Sequence, residues 1–186
     1  MRRTILLCFM LPAFLFPLRH CRAEELTPAL AKQKVSEAVS LLEAEGRAGF
    51  EKLRDPRGPF RFANGDGYVW VNNIDGLTVV QPMKPALEGT PTLTLMDSTG
   101  FRFIKAMNSV ATQNGSGWVA YRWPKPGTSK ESPKISFVHK AVIEGRIYVV
   151  GCGIYDITED KLKECIPGET VISGPRQMSD ARTAPQ

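Results

Sequence analysis

A short segment from Gly115 to Pro126, with the sequence GSGWVAYRWPKP, constrains the fold of this chain more than any other. It starts at a glycine turn, ends at a proline, and carries three large aromatic residues and an arginine between them. Because successive side chains of a β-strand point to opposite faces of the sheet, Tyr121 and Trp123 are predicted to share one face. Trp118 and Arg122 are expected on the other face. An aromatic wall with one or two polar groups favours a pocket for a small polar ligand over plain core packing.

The first 23 residues are predicted to be a cleaved secretory signal peptide. Arg2 and Arg3 precede an apolar run over residues 4–18, and the small residue Ala23 stands before the expected cut. The run is short for a membrane span, and an uncleaved anchor is the alternative. We therefore expect a periplasmic or secreted protein.

Removal of this segment changes the charge of the chain. The 186 residues carry a net charge of +5, but every acidic residue follows the signal, which leaves 20 basic and 19 acidic residues after cleavage. A nearly balanced charge gives no support to a nucleic-acid partner.

One domain over residues 24–166 and a flexible tail over residues 167–186 are predicted.

Two cysteines remain after the signal, Cys152 and Cys165. In an exported protein a disulfide between them is the expectation. Free buried thiols and a metal pair are the alternatives, although only His139 is left to join the cysteines at a metal. No cofactor or metal site is predicted.

Three aspartates in the chain are predicted to form turns. Asp66 and Asp75 adjoin glycines, and Asp97 precedes Ser-Thr-Gly. They lack the density of acidic residues that a calcium loop requires.

The order of predicted elements gives an α+β fold. A long helix over residues 27–53 starts at Thr27-Pro28, weakens near Gly46, and has its apolar residues on one face. A five-stranded antiparallel sheet follows, with a short lid helix over residues 103–113 between its second and third strands. The strands are predicted at 68–72, 77–81, 118–123, 135–142 and 147–155. A cavity is expected between the sheet and the 82–113 segment.

Several motifs together resemble single Cache domains, the PAS-like extracytoplasmic sensor domains of bacterial chemoreceptors and histidine kinases. The resemblance runs from about Lys34 to Tyr155, and it implies the fold described above and the binding of small molecules, often short organic acids. The matching segments are SEAVSLLEAEG at 36–46, DP at 55–56, GPF at 58–60, GYVWV at 67–71, DG at 75–76, GWVAYRWP at 117–124, PK at 133–134 and GCGIY at 151–155.

Two departures from the family pattern stand out. Gln81-Pro82 occupies the position where the family often has His-Pro. The sequence also shows no second hydrophobic span and no cytoplasmic output domain, so a stand-alone exported member with a separate membrane-bound signalling partner is expected.

Five residues are candidates for the pocket. Tyr121 and Trp123 on one strand, and Tyr68 and Trp70 on another, are predicted to line it, with core packing as the alternative. Lys134 precedes an apolar strand, where its ammonium could meet a ligand carboxylate. The alternative for Lys134 is a solvated loop lysine.

Three hypotheses for the function follow. The first is a non-enzymatic binder of a short organic acid, and the second is a structural interaction module with a filled cavity. The third is a small secreted hydrolase that uses His139 and a hydroxyl such as that of Ser136. The enzyme is disfavoured because no nucleophile, base and orienting acid can be assembled from the sequence.

Overall fold

A computed structural model describes residues 25–174 and confirms the α+β fold. The predicted signal peptide over residues 1–23 lies outside this range. None of the helices within residues 25–174 is long and apolar enough to cross a membrane.

The helices are α1 (Pro28–Glu45), α2 (Gly49–Arg54), α3 (Phe103–Asn114) and α4 (Glu159–Cys165). The strands are β1 (Arg61–Phe62), β2 (Gly67–Asn73), β3 (Thr78–Val80), β4 (Ser116–Pro124), β5 (Glu131–Ile143), β6 (Arg146–Tyr155) and β7 (Val171–Ser173).

Helix α1 begins and ends where the sequence predicts a cap and a break. The Leu30 N–H donates to the Thr27 hydroxyl oxygen at 3.2 Å, and Pro28 occupies the first turn, where no backbone donor is needed. Gly46 ends the helix at a φ of 64°, and a short 3₁₀ turn leads into α2. The residues of α1 that face the sheet are buried: Ala31, Val35, Ala38, Val39 and Leu42.

The sheet contains all five predicted strands and two short additional ones. Its order is β1-β2-β6-β5-β4-β7, and β3 pairs with β2. All pairs are antiparallel except β4 with β7. The prediction of a flexible tail from residue 167 is wrong for β7, because Val171–Ser173 pairs with Trp118–Ala120 at the edge of the sheet. Residues 175–186 lie outside the described range.

The two faces of the sheet pack against different layers. The core on the α1 face contains Trp118, and the core on the other face, under α3, contains Tyr121. This confirms the predicted alternation along β4. Tyr68 and Trp70 on β2 share the second face with Tyr121, as predicted.

Residues 82–114, here called the lid, cover this second face and are fixed near their start by Glu88. One oxygen of Glu88 accepts a hydrogen bond from the Gln81 backbone N–H at 2.8 Å. The other oxygen accepts one from Arg54 Nε, at the end of α2, at 2.9 Å. The carboxylate therefore joins the start of the lid to the helical layer.

Asp97 fixes the middle of the lid to the sheet. Its Oδ1 accepts hydrogen bonds from the backbone N–H groups of Thr99 and Phe101, at 2.9 and 3.1 Å. Its Oδ2 accepts one from the backbone N–H of Arg122 in β4, at 3.0 Å. The side chain thus forms the predicted turn and also attaches it to the strand that carries Tyr121 and Trp123.

The expected disulfide is absent, and both cysteines are free thiols. Cys152 is fully buried in the core between the sheet and α1, whereas Cys165 is exposed at the end of α4. Burial raises the pKa of the Cys152 thiol to about 12, which suppresses the reactive thiolate.

The two thiols are therefore expected to differ in reactivity. Iodoacetamide at pH 8 should alkylate Cys165 in the folded protein, and Cys152 only after unfolding. Mass spectrometry of the peptides that contain each residue measures both reactions. If both cysteines resist alkylation in denaturant until a reductant is added, they form a disulfide and the free-thiol assignment is wrong.

Candidate ligand pocket around Lys134

A small cavity lies between the second face of the sheet and the lid. The space open to the centre of a water molecule is about 40 Å³, enough for about three water-sized groups. Apolar side chains form much of its wall, including Trp70, Phe103, Ile104, Met107 and Trp123. Its polar groups come from Asn72, Thr78, Gln81, Thr92, Tyr121 and Lys134.

Lys134 lies inside strand β5 and is only 2% exposed, so it is not a solvated loop lysine. Its neighbours across the sheet are Tyr121 on β4 and Tyr155 on β6. The ammonium donates hydrogen bonds to the Tyr68 hydroxyl at 3.0 Å and to the Tyr155 hydroxyl at 3.1 Å. The Tyr155 hydroxyl in turn donates to the Pro124 carbonyl at 3.0 Å, which fixes its orientation.

The ammonium also lies near the rings of two of these tyrosines. Nζ is 4.3 Å from the ring centroid of Tyr155 and 5.1 Å from that of Tyr68, distances at which a cation is attracted to the ring. Burial disfavours the charged form of Lys134, whereas the hydrogen bond to the Tyr155 hydroxyl oxygen favours the charged form. The pKa of Lys134 lies above its ordinary value, and the two hydrogen bonds that the amine donates to hydroxyl oxygens favour the protonated form.

The groups that surround this cation carry no negative charge at neutral pH. Burial raises the pKa values of Tyr68, Tyr121 and Tyr155 to about 12, so all three phenols stay protonated. No carboxylate within residues 25–174 lies at ion-pair distance from Lys134. The cavity wall contains no aspartate or glutamate either. Lys134 is therefore a buried positive charge without a counterion in this part of the chain.

Two glycines of β6 make room for the side chains of the site. A Cβ at Gly153 would lie 2.0 Å from Cε of Lys134 and 2.6 Å from the Ser136 hydroxyl oxygen. A Cβ at Gly151 would lie 2.3 Å from the ring of Trp70. All three distances are shorter than the contacts that real Cβ atoms make, so a side chain at either position would displace Lys134 or Trp70.

The lid and β4 meet through three aromatic rings. Phe103, the first residue of α3, stacks on Tyr121 with centroids 4.5 Å apart and an interplanar angle of 12°. Its contact with Trp123 is edge-on, at 5.2 Å. The Tyr121 hydroxyl is hydrogen-bonded to the Ser136 hydroxyl at 3.0 Å, which holds the ring in place from the sheet side.

The structure brings the five predicted residues together. Trp70, Tyr121, Trp123 and Lys134 line the cavity, and the Tyr68 hydroxyl accepts a hydrogen bond from the ammonium.

Sequence reasoning did not assign other members of the site. Asn72 could have been found, because it continues the alternation of Tyr68 and Trp70 along β2. Tyr155, Gly153 and Phe103 required the pairing of strands and the docking of the lid.

The residues proposed for a hydrolase do not meet. Ser136 faces the pocket side of β5 and bonds to Tyr121, whereas His139 is three residues further along the strand and therefore points to the opposite face. Its Nδ1 is 2.7 Å from the Lys140 carbonyl oxygen. Among residues 25–174 no cluster of histidine, cysteine and acidic side chains could hold a metal ion.

The family model of Single Cache domain 2 matches residues 18–165, and the chain belongs to this family of sensor domains. A 90-residue stretch is 32% identical to the methyl-accepting chemotaxis protein McpP of Pseudomonas putida KT2440. This match covers 48% of the chain and only 16% of McpP, so the chain spans a small part of that relative's length.

Two solved structures share the fold. One is the periplasmic sensor domain of a chemotaxis protein, with a TM-score of 0.56 and 32% identity. The other is a Cache chemosensory domain for which carboxylic acid recognition is described, with a TM-score of 0.58 and 26% identity. Each match covers 69% of this chain and 92% of the solved one. These related domains are sensory.

Replacement of Gly153 by alanine tests the close packing against Lys134. We expect Gly153→Ala to lower the free energy of unfolding by about 1–3 kcal/mol, because the added methyl group overpacks the site. The same change in a Lys134→Ala background should cost at least about 1 kcal/mol less, since the side chain nearest to the added methyl group is gone and only Ser136 still crowds it. Urea denaturation of the parent, the two single variants and the double variant measures this coupling. Additive costs would show that Lys134 does not lie against Gly153.

Proposed function

We propose that this domain binds a short organic acid in the cavity under the lid, with the ligand carboxylate on the ammonium of Lys134. The observation that carries the proposal is the protonated, buried amine whose partners are neutral phenols. An ion removed from water costs several kcal/mol unless it is paired. A ligand carboxylate would supply the missing negative charge and accept a charge-assisted hydrogen bond.

The shape of the cavity supports a short ligand. About 40 Å³ of open space next to Lys134 leaves room for few atoms beyond a carboxylate. Phe103, Trp123 and Met107 offer an apolar wall to the rest of the molecule. The relative for which carboxylic acid recognition is described adds support to this ligand class.

Two features favour a ligand site over a structural module with a filled cavity. Space remains between the lid and the sheet, although buried apolar side chains surround it. A lysine without a counterion also stabilises the empty fold poorly, because an apolar residue of similar size would avoid the cost of burying a charge.

We further propose that the domain acts outside the cytoplasm and passes its ligand state to a separate membrane-bound signalling protein. The relatives support a sensory role outside the cytoplasm, since one of them is a methyl-accepting chemotaxis protein and another is the periplasmic sensor domain of a chemotaxis protein.

Loss of the charge at Lys134 tests the proposed ligand class. A thermal-shift series of acetate, propionate, lactate and pyruvate, each with its amide, identifies the acid to be used. Lys134→Met should then weaken binding of that acid by about 1.5–3 kcal/mol in calorimetry, because it removes a hydrogen bond from a charged donor. Binding of the matched amide should change less.

Lys105→Met provides the control, since Lys105 is an exposed lysine on α3 and its replacement removes the same charge away from the pocket. This variant should bind the acid as the parent does. If Lys134→Met binds the acid with the parent's affinity, or if no carboxylate in the series binds the parent, the proposed function is wrong.

A further inference from the structure

Gln81 carries a polar atom that the fold leaves without a partner. The residue follows β3 and lines the same cavity as Lys134. Its side-chain oxygen is buried and has no hydrogen-bond partner among the described residues. A buried carbonyl oxygen without a donor is uncommon in folded proteins and lowers the stability of the fold.

The backbone around Gln81 is held in place by hydrogen bonds to Glu88 and Arg54. Its N–H donates to the Glu88 carboxylate at 2.8 Å, and the same carboxylate accepts a hydrogen bond from Arg54 at 2.9 Å. Arg54 also donates to the Val79 carbonyl oxygen at 2.7 Å, two residues before Gln81. The backbone that carries the amide is therefore fixed at the wall of the cavity before any ligand arrives.

We propose that Gln81 is a specificity residue whose carbonyl accepts a hydrogen bond from a hydroxyl group of the ligand, and that the ligand is a short hydroxy acid. This inference rests on the proposed function, in which Lys134 holds the carboxylate. A site built to bond a donor rejects analogues that lack it, because the acceptor of the protein then stays unpaired.

The charges of the pocket select the kind of donor. An amino acid also carries a donor, but its ammonium would enter a cavity that already contains Lys134 and that no aspartate or glutamate lines. Two cations in one low-dielectric site repel each other strongly. A keto acid presents an oxygen that cannot donate, so it leaves Gln81 unpaired. A hydroxyl group supplies the donor without additional charge.

The experiment compares four ligands of nearly equal size on the full chain: lactate as each enantiomer, propionate, pyruvate and alanine. Isothermal titration calorimetry should give an affinity for one lactate enantiomer about tenfold higher than for propionate or pyruvate. Alanine should bind more weakly than propionate. These comparisons require no variant, so they test the inference even if a substitution prevents folding.

Gln81→Met removes the acceptor while keeping a side chain of similar length. The ratio of lactate to propionate affinity should then fall from about ten to about one. The midpoint of thermal unfolding without ligand should stay the same or rise, because the unpaired oxygen is gone. A purely structural role for Gln81 predicts a lower midpoint instead. Lys134→Met serves as the comparison, and it should weaken lactate and propionate by a similar factor.

The outcomes separate this inference from the proposed function. If propionate or pyruvate binds as tightly as lactate, or if Gln81→Met keeps the preference for lactate, the role of Gln81 is wrong while the carboxylate site stands. If none of the acids binds the parent, or if Lys134→Met leaves their affinities unchanged, the carboxylate site and the inference both fail.

Discussion

The buried ammonium of Lys134 sets the requirements for the rest of the pocket. It reaches the centre of the sheet face only because Gly153 leaves its path open, and it stays there because Tyr68 and Tyr155 accept its hydrogen bonds. Neutral phenols solvate a cation without cancelling its charge. The site is therefore prepared for an anion, and the remaining polar groups and apolar walls decide which anion fits.

The part of the structure that follows from local pattern could be predicted from the sequence. Alternation along single strands placed Tyr121 and Trp123 on one face of β4, and Tyr68 and Trp70 on one face of β2. The order of elements gave the α+β arrangement, and the turn at Asp97 followed from its neighbours. These features depend on a few consecutive residues, which is why they could be predicted without knowledge of strand pairing.

Features that depend on contacts between distant segments could not be predicted. The need for glycine at 153 follows from a side chain nineteen positions earlier, across a strand pair whose register the sequence does not reveal. The expectation of a disulfide failed for a similar reason. Export to an oxidising compartment and the presence of two cysteines after the signal favoured a disulfide. In the structure, however, Cys152 faces the core while Cys165 ends a helix at the surface. The strand β7 was missed because three residues carry too little pattern to separate them from a loop.

The contact between Asp97 and the Arg122 backbone has a consequence for association between molecules. Strand β4 would otherwise present an open row of backbone groups, which is a template for pairing with another chain. Strand β7 pairs with this edge of β4 at Trp118–Ala120. Further along the same strand, Asp97 accepts a hydrogen bond from the backbone N–H of Arg122. The carboxylate that seats the lid thus also blocks a site of edge-to-edge aggregation, so a lid that detached at Asp97 would leave the chain vulnerable to self-association.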